Sequence, residues 1–383
     1  MATPTLRLIR RAFPGMFIGV LCRPGIDRVL AGLDVFDELH VERSAGVMGP
    51  KFVAARLRPR RYDTALLLTN SFSTALITRI AGIPRRIGYA RDARGLLLTD
   101  RSDPPRRPDG RWAPVPAVDY YHNLAAAHLL PPGPAARRRK GLDHNPSTSS
   151  MGEVSGGATV VSRPEQGTQT WLPLPTGCFM ELAVTPADRA AADDLLARGG
   201  VDAGAPLVLL NPGGNRREKR WPPDRFAAVA DHLAGAHAMT ALVNGSPAEA
   251  ELAEGVSRAC AVARPVSLPA LGVTLSSLKG LVARCRLMVS NDTGPRHIAL
   301  ALGVPCVSLF GPTDHRWTIV PTRAGAPDVM VLAEPHLPDD QVADDHPDRC
   351  RIDRIEVGAV ISACEQALSG GPPGRSVRAG SSS

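Results

Sequence analysis

The feature that most constrains this chain is a rhythm: short apolar runs alternate with longer amphipathic stretches along both halves of the sequence. This is the pattern of βαβ units, because a strand covered by helices on both faces is apolar throughout, and each crossover helix needs one apolar face. In the first half the runs predict strands over residues 16–21, 64–68 and 86–89, and helices over 5–13, 71–81 and 119–129. In the second half they predict strands over 207–210, 240–243, 287–290, 306–310 and 329–332, and helices over 223–233, 248–259, 275–283, 295–301 and 357–368. The expected architecture is therefore α/β, with two Rossmann-like domains facing a cleft. Ligands of such sheets sit at the carboxyl ends of the strands.

A chain of 383 residues also exceeds what one core usually holds. The rhythm breaks at Pro131-Pro132-Gly133-Pro134, the basic run Arg137-Arg138-Arg139-Lys140 and the Ser/Gly/Thr-rich stretch that follows. Residues 131–177 read as a linker or disordered insertion between a domain over 1–130 and a second over 178–369, and residues 370–383 as an unstructured tail. The formal charge of +8 suits an anionic partner, although an Arg-rich proteome would give the same balance. Arg7, Arg10, Arg11, Arg56, Arg58, Arg60 and Arg61 concentrate that charge in the first third, which fits peripheral contact with an inner membrane. Nucleic acid is a poor fit, because at 4% aromatic the chain lacks aromatics interleaved with its cations. The seven cysteines are scattered without metal-ligand spacing, as expected of free thiols in a reducing cytoplasm. No apolar run approaches the length of a spanning helix, so a cytoplasmic protein, peripheral at most to a membrane, is expected.

Three constellations in the second half carry chemistry. Asn291-Asp292-Thr293-Gly294-Pro295-Arg296-His297 ends a strand and opens a helix, with Thr293 at the N-cap and Pro295 in the first turn. The free N–H groups of such a terminus bind phosphate, and Gly294 lets the ligand come close. Asp292 would repel that phosphate and suits sugar or ribose hydroxyls; His297 could donate to either. The same residues could equally be capping the helix and packing it on the sheet. Asn211-Pro212-Gly213-Gly214-Asn215-Arg216-Arg217-Glu218-Lys219-Arg220-Trp221-Pro222 empties a strand into a glycine loop followed by cations. Lys219 can place a point charge against a diphosphate, or the loop can be a solvated basic turn. In Asn244-Gly245-Ser246-Pro247-Ala248-Glu249 the glutamate complements a helix dipole or contacts a nucleoside. There is no Walker motif, DxD, GxGxxG or cluster of metal-binding carboxylates.

The order of these motifs, followed by Leu309-Phe310-Gly311-Pro312-Thr313-Asp314, resembles glycosyltransferase family 9, the ADP-heptose:lipopolysaccharide heptosyltransferases, and their second type in particular. Arg61-Tyr62-Asp63, Leu68-Thr69-Asn70-Ser71-Phe72 and Ala81-Gly82-Ile83-Pro84-Arg85-Arg86-Ile87-Gly88-Tyr89 resemble its acceptor-side signature. The resemblance implies a GT-B fold with an acceptor domain first and a donor domain second, and inverting, metal-independent transfer of a heptose or related sugar. The ADP-sugar would be co-substrate, no cofactor would be needed, and the acceptor would be lipopolysaccharide core or another lipid-linked glycan. It implies donor contacts at Gly213, Gly214, Asn215, Lys219, Glu249, Asp292, Thr293, Gly294 and His297, with Glu251 as an alternative to Glu249, and acceptor contacts at Asn70 and Ser71. In the family a strand and a Gly-Asp loop precede the helix that here begins at Met1, and that loop's aspartate would be the general base. On this basis Met1 is expected to be an internal methionine taken for the start. The alternative is a non-catalytic, sugar-nucleotide-binding paralogue without the base.

Overall fold

The computed structural model describes residues 1–42, 48–131 and 171–370, so most of the expected linker (132–170) and tail (371–383) lie outside the described residues. The second half is built on a six-stranded parallel sheet in the order β11-β10-β9-β6-β7-β8. Its strands are β6 (Leu207–Asn211), β7 (Thr240–Val243), β8 (Val266–Ser267), β9 (Cys285–Asn291), β10 (Cys306–Phe310) and β11 (Asp328–Leu332). Every residue of β6 and β10 is buried, as strands covered on both faces must be. Alternation along β6 sends Val208 and Leu210 to one face, against α7 (Pro223–His237), α8 (Ala250–Ala259) and α11 (Val357–Leu368). Leu207 and Leu209 go to the other, against α6 (Pro186–Arg198), α9 (Leu275–Val282) and α10 (Gly294–Leu302). From β6 the chain adds strands in one direction through β7 and β8, then returns to add β9, β10 and β11 on the opposite side. The strand order therefore reverses between β6 and β9, and a crevice opens outside their carboxyl ends.

The first half comprises α1 (Thr3–Ala12), β1 (Gly19–Cys22), α2 (Ile26–Leu30), β2 (Glu38–Val41), α3 (Gly49–Leu57), β3 (Thr64–Leu67), α4 (Phe72–Ile80), β4 (Arg85–Tyr89), β5 (Asp100–Ser102) and α5 (Ala117–His128). All its strand pairs are parallel, in two sheets, β1–β2 and β3–β4–β5. The strand expected over 16–21 is displaced to 19–22, because Phe17 is more than half exposed and stacks beside Tyr62 rather than entering a sheet. Six helices and strands were not anticipated: α2, β2, α3, β5, α6 and β8. Residues 171–177 run along α5, where Leu172 and Leu174 donate their backbone N–H groups to Asn123 Oδ1 at 3.0 Å and Asp119 Oδ1 at 2.8 Å.

Several contacts join the halves. Lys279 of α9, fully buried, pairs with Asp188 of α6 at 2.9 Å and donates to the carbonyls of Arg28 and Ala31 at the end of α2, each at 3.1 Å. Arg7 meets Glu181 at 2.7 Å, and Arg107 and Arg111 both reach Asp345. Among the described residues no helix is long and apolar enough to cross a membrane, and all seven cysteines are free thiols.

Candidate functional site

The floor of the crevice is a layer of side-chain amides at the strand ends. Asn211, the last residue of β6, donates to Ser290 Oγ at 3.1 Å and to Thr293 Oγ1 at 2.8 Å, and accepts from Asn244 Nδ2 at 2.7 Å. Asn291, ending β9, donates to the carbonyl of Pro212 at 2.8 Å and accepts the Trp221 N–H at 3.4 Å. These groups are buried, so their mutual satisfaction both avoids a desolvation penalty and fixes where the Gly213-Gly214 turn stands. Trp221 is fully buried, edge-on to Phe226, and its indole N–H reaches the Ile355 carbonyl at 3.0 Å, which anchors the far end of the same loop.

Glu249 closes the crevice from the side. Its Oε1 accepts the Gly214 N–H at 3.0 Å, and its Oε2 accepts the N–H and hydroxyl of Ser246, both at 2.9 Å. A Cβ at position 213 would stand 2.5 Å from Glu249 Oε1, so a side chain there would push the carboxylate aside. Burial alone would raise the Glu249 pKa. The bonds from Ser246 and Gly214, with Arg220 nearby, outweigh it and hold the carboxyl below its usual range. Arg220 donates through Nε and Nη2 to the Gly214 carbonyl, at 2.8 and 2.6 Å, with Nη2 3.8 Å from Glu249.

The third wall is the start of α10. Thr293 occupies the N-cap position but makes no capping bond; its hydroxyl is engaged with Asn211 and the Asn291 carbonyl. The first-turn N–H groups of Gly294 and Arg296 are thus left for a ligand, and Pro295 has none to satisfy. A Cβ at Gly294 would meet nothing within 4 Å, so this terminus opens outward. Asp292 turns away from the terminus, taking the Thr318 hydroxyl at 3.3 Å and standing 3.7 Å from Arg296. Arg296 itself is fully buried, held by Asp328, Ser308 and the Thr318 carbonyl. Burial, the adjacent Arg296 and the chain's amino group drive the His297 pKa well below its usual value, so the ring is neutral, and its Nδ1 has no partner.

Together these walls enclose a cleft of about 590 Å³. Of the anticipated donor residues, Gly213, Gly214, Asn215, Glu249 and Thr293 line it; Lys219, Asp292, Gly294 and His297 are not among the residues that line it. Arg220, Asn211 and Asn244 line it without having been anticipated as ligands. Arg220 is one of several adjacent cations, and only the short helical turn Arg217–Lys219 decides which of them points inward. On the far side, α9 supplies Leu275 and Leu278, and Leu275 packs against Gly25 of the first half. Asn70 accepts from Arg94, which is fully buried, at 3.0 Å and from Tyr120 at 3.4 Å. Ser71 caps α4 by accepting the Thr74 N–H at 3.4 Å.

Two parallel α/β halves, with a cleft at the switch point of the second, form a GT-B fold. The structure superposes on a family 9 glycosyl transferase from Veillonella parvula with a TM-score of 0.68, at 18% identity over 96% of this chain and 92% of that one. On the ADP-heptose LPS heptosyltransferase II of E. coli the TM-score is 0.66, at 20% identity over 96% and 94%. In sequence the chain is 25% identical to lipopolysaccharide heptosyltransferase 2 of Escherichia coli K12 over 328 residues, 83% of this chain and 80% of that protein. The model of glycosyltransferase family 9 (heptosyltransferase) matches residues 52–145 and 154–344, and the chain belongs to that family.

Proposed function

We propose that the protein transfers a heptose, or a closely related sugar, from an ADP-sugar to a lipopolysaccharide-core or other lipid-linked acceptor, inverting the sugar carbon and using no metal. The observation that carries this reading is the convergence of the Gly213-Gly214 turn, Arg220, Glu249 and the start of α10 on one cleft. In this reading residues 178–369 bind the donor and residues 1–130 the acceptor, with no cofactor. Glu249 keeps unused lone pairs for ribose hydroxyls, while Gly294 and Arg296 at the start of α10 turn backbone N–H groups toward the diphosphate. Lys219 and Arg220 bring positive charge to its open side. As the acceptor oxygen attacks the anomeric carbon, negative charge grows on the departing nucleoside diphosphate, and the helix dipole with these cations stabilises it. Asp292, Thr293 and neutral His297 stand on the sugar side, and Asn70 and Ser71 toward the acceptor.

The same reading places the enzyme at the cytoplasmic face of a membrane. The outer face of α3 exposes Met48 (52%) and Phe52 (59%) beside Lys51 and Arg56, and Arg58, Arg60 and Arg61 follow it. Apolar anchors ringed by cations suit an anionic lipid surface.

Calorimetry with ADP-heptose, together with ADP release in the presence of a heptose-deficient core acceptor, tests the proposal. Glu249→Ala and Arg220→Ala should each weaken donor binding at least tenfold and lower transfer in step. Unchanged affinity in both variants would overturn the site; donor binding without turnover on any lipid-linked acceptor would favour the binding-only reading.

A further inference from the structure

At the edge of the second sheet where its strands begin, opposite the donor cleft, His232 and His237 of α7 converge with Glu365 of α11. Glu365 Oε1 lies 2.8 Å from His232 Nε2 and 2.9 Å from His237 Nε2, and its Oε2 lies 3.0 Å from the latter. All three ligand atoms fall within 4.8 Å of one another. Residues five apart stand about 140° apart around a regular helix and would not share a target. These two nevertheless both reach Glu365, His237 from the last position of α7. The side chains are 32%, 29% and 44% exposed, so an ion and its waters can reach them. No step of the transfer reaction uses them.

We infer that His232, His237 and Glu365 form a binding site for a borderline transition metal, Zn²⁺ above all, that clamps α7 to α11. Two imidazole nitrogens and one carboxylate oxygen are the donor set zinc accepts with a position left for water, whereas Mg²⁺ and Ca²⁺ call for oxygen ligands alone. Glu365 already lies within hydrogen-bond distance of both rings, so the carboxylate is in place between them. Without metal each ring directs Nε2 at the carboxylate; with metal each carries its proton on Nδ1 and offers the Nε2 lone pair. Ligand atoms around a tetrahedral ion at about 2.0–2.1 Å stand about 3.3 Å apart, so the Glu365–His232 and Glu365–His237 separations of 2.8 and 2.9 Å would widen slightly while the two ring nitrogens, within 4.8 Å of each other, settle to the same spacing. Both helices cover the same face of the sheet. His237 precedes the start of β7, while the cleft residues Asn211 and Asn244 stand at the ends of β6 and just past β7, so the ion would act on stability and leave the donor untouched.

The test is titration of untagged, chelator-stripped protein with Zn²⁺ and with Co²⁺, alongside thermal unfolding. The expected result is one saturable site per chain, a Tm higher by about a few degrees in excess Zn²⁺ but not in Mg²⁺, and a cobalt spectrum of visible d–d bands without thiolate charge transfer. His232→Asn, His237→Asn and Glu365→Gln should each weaken binding at least tenfold, with ADP-sugar affinity unchanged. The half-exposed positions tolerate these exchanges, and the wild-type cobalt spectrum does not depend on any variant folding. Three results would each overturn the inference: no saturable binding in the wild type, equal affinity in the His232→Asn/His237→Asn double variant, or thiolate bands marking a cysteine site.

Discussion

Gly213 shows how one missing carbon can hold a binding group in place. The atom that would meet its Cβ is the far end of the flexible Glu249 side chain, which can yield. Gly213→Ala should therefore leave the fold nearly intact, at about 1–3 kcal/mol or less, while displacing the carboxylate from Gly214 and lowering donor affinity at least tenfold; calorimetry beside urea denaturation separates the two effects. His297 makes a prediction about pH. A ring whose pKa is held well below its usual value of about 6.5 stays neutral through that region. Glu249, with its pKa depressed, stays ionised above its ordinary range of about 4.3. Donor affinity measured from about pH 5.5 to 8 should thus show no inflection from either group, and a step near 6.5 would mean that His297 carries charge in the complex. At this scale the sequence pointed to Gly213, Gly214, Asn215, Glu249 and Thr293, which line the cleft, and also to Lys219, Asp292, Gly294 and His297, which are not among its lining residues. It could not rank Lys219 against Arg220, since neighbouring cations differ only in the direction a three-residue turn gives them.

At the scale of elements, legibility followed burial. The strands β6, β7, β9, β10 and β11 were readable because a doubly covered strand must be apolar along its whole length. Glu38–Val41 was not, since β2 is half-buried and carries Glu38 and His40. The helix Pro186–Arg198 escaped notice because it follows the compositional break and buries mainly Ala192, Leu195 and Leu196, a stripe too thin to stand out among its charges. Its capping box of Thr185 and Asp188 was the available signal. The Gly213–Trp221 loop depends on an element it does not belong to, through the Trp221 bond to Ile355 ahead of α11. Trp221→Ala should lower unfolding free energy by about 3–5 kcal/mol in urea. Trp221→Phe keeps most of the packing and loses that one bond, and should fall well short of this; equal losses would contradict the packing account.

Across the whole molecule, buried Lys279, paired with Asp188 inside the second half, donates to the carbonyls of Arg28 and Ala31 and so joins what the sequence presented as two separate domains. Removing only the cation in Lys279→Met strands a buried carboxylate and should cost about 3–5 kcal/mol, whereas Lys279→Met/Asp188→Leu should recover much of it. Burial would raise the Asp188 pKa, but Lys279, Ser276 and Thr185 more than offset it and bring it to about 2. A depressed carboxylate contributes its stability fully above the unfolded value of 3.8 and loses it as pH falls toward 2, about 2 kcal/mol in all. Acid unfolding of the Asp188→Asn variant should accordingly be flatter than wild type between those limits. Lys279 also bears on how such proteins can be rearranged by recombination. Its ammonium draws on carbonyl oxygens from the end of α2, so the second half expressed alone would carry a buried cation short of partners. A first half grafted from a relative would have to arrive with its own carbonyls at that spot, and exchange of first halves is thereby restricted to relatives that share this socket.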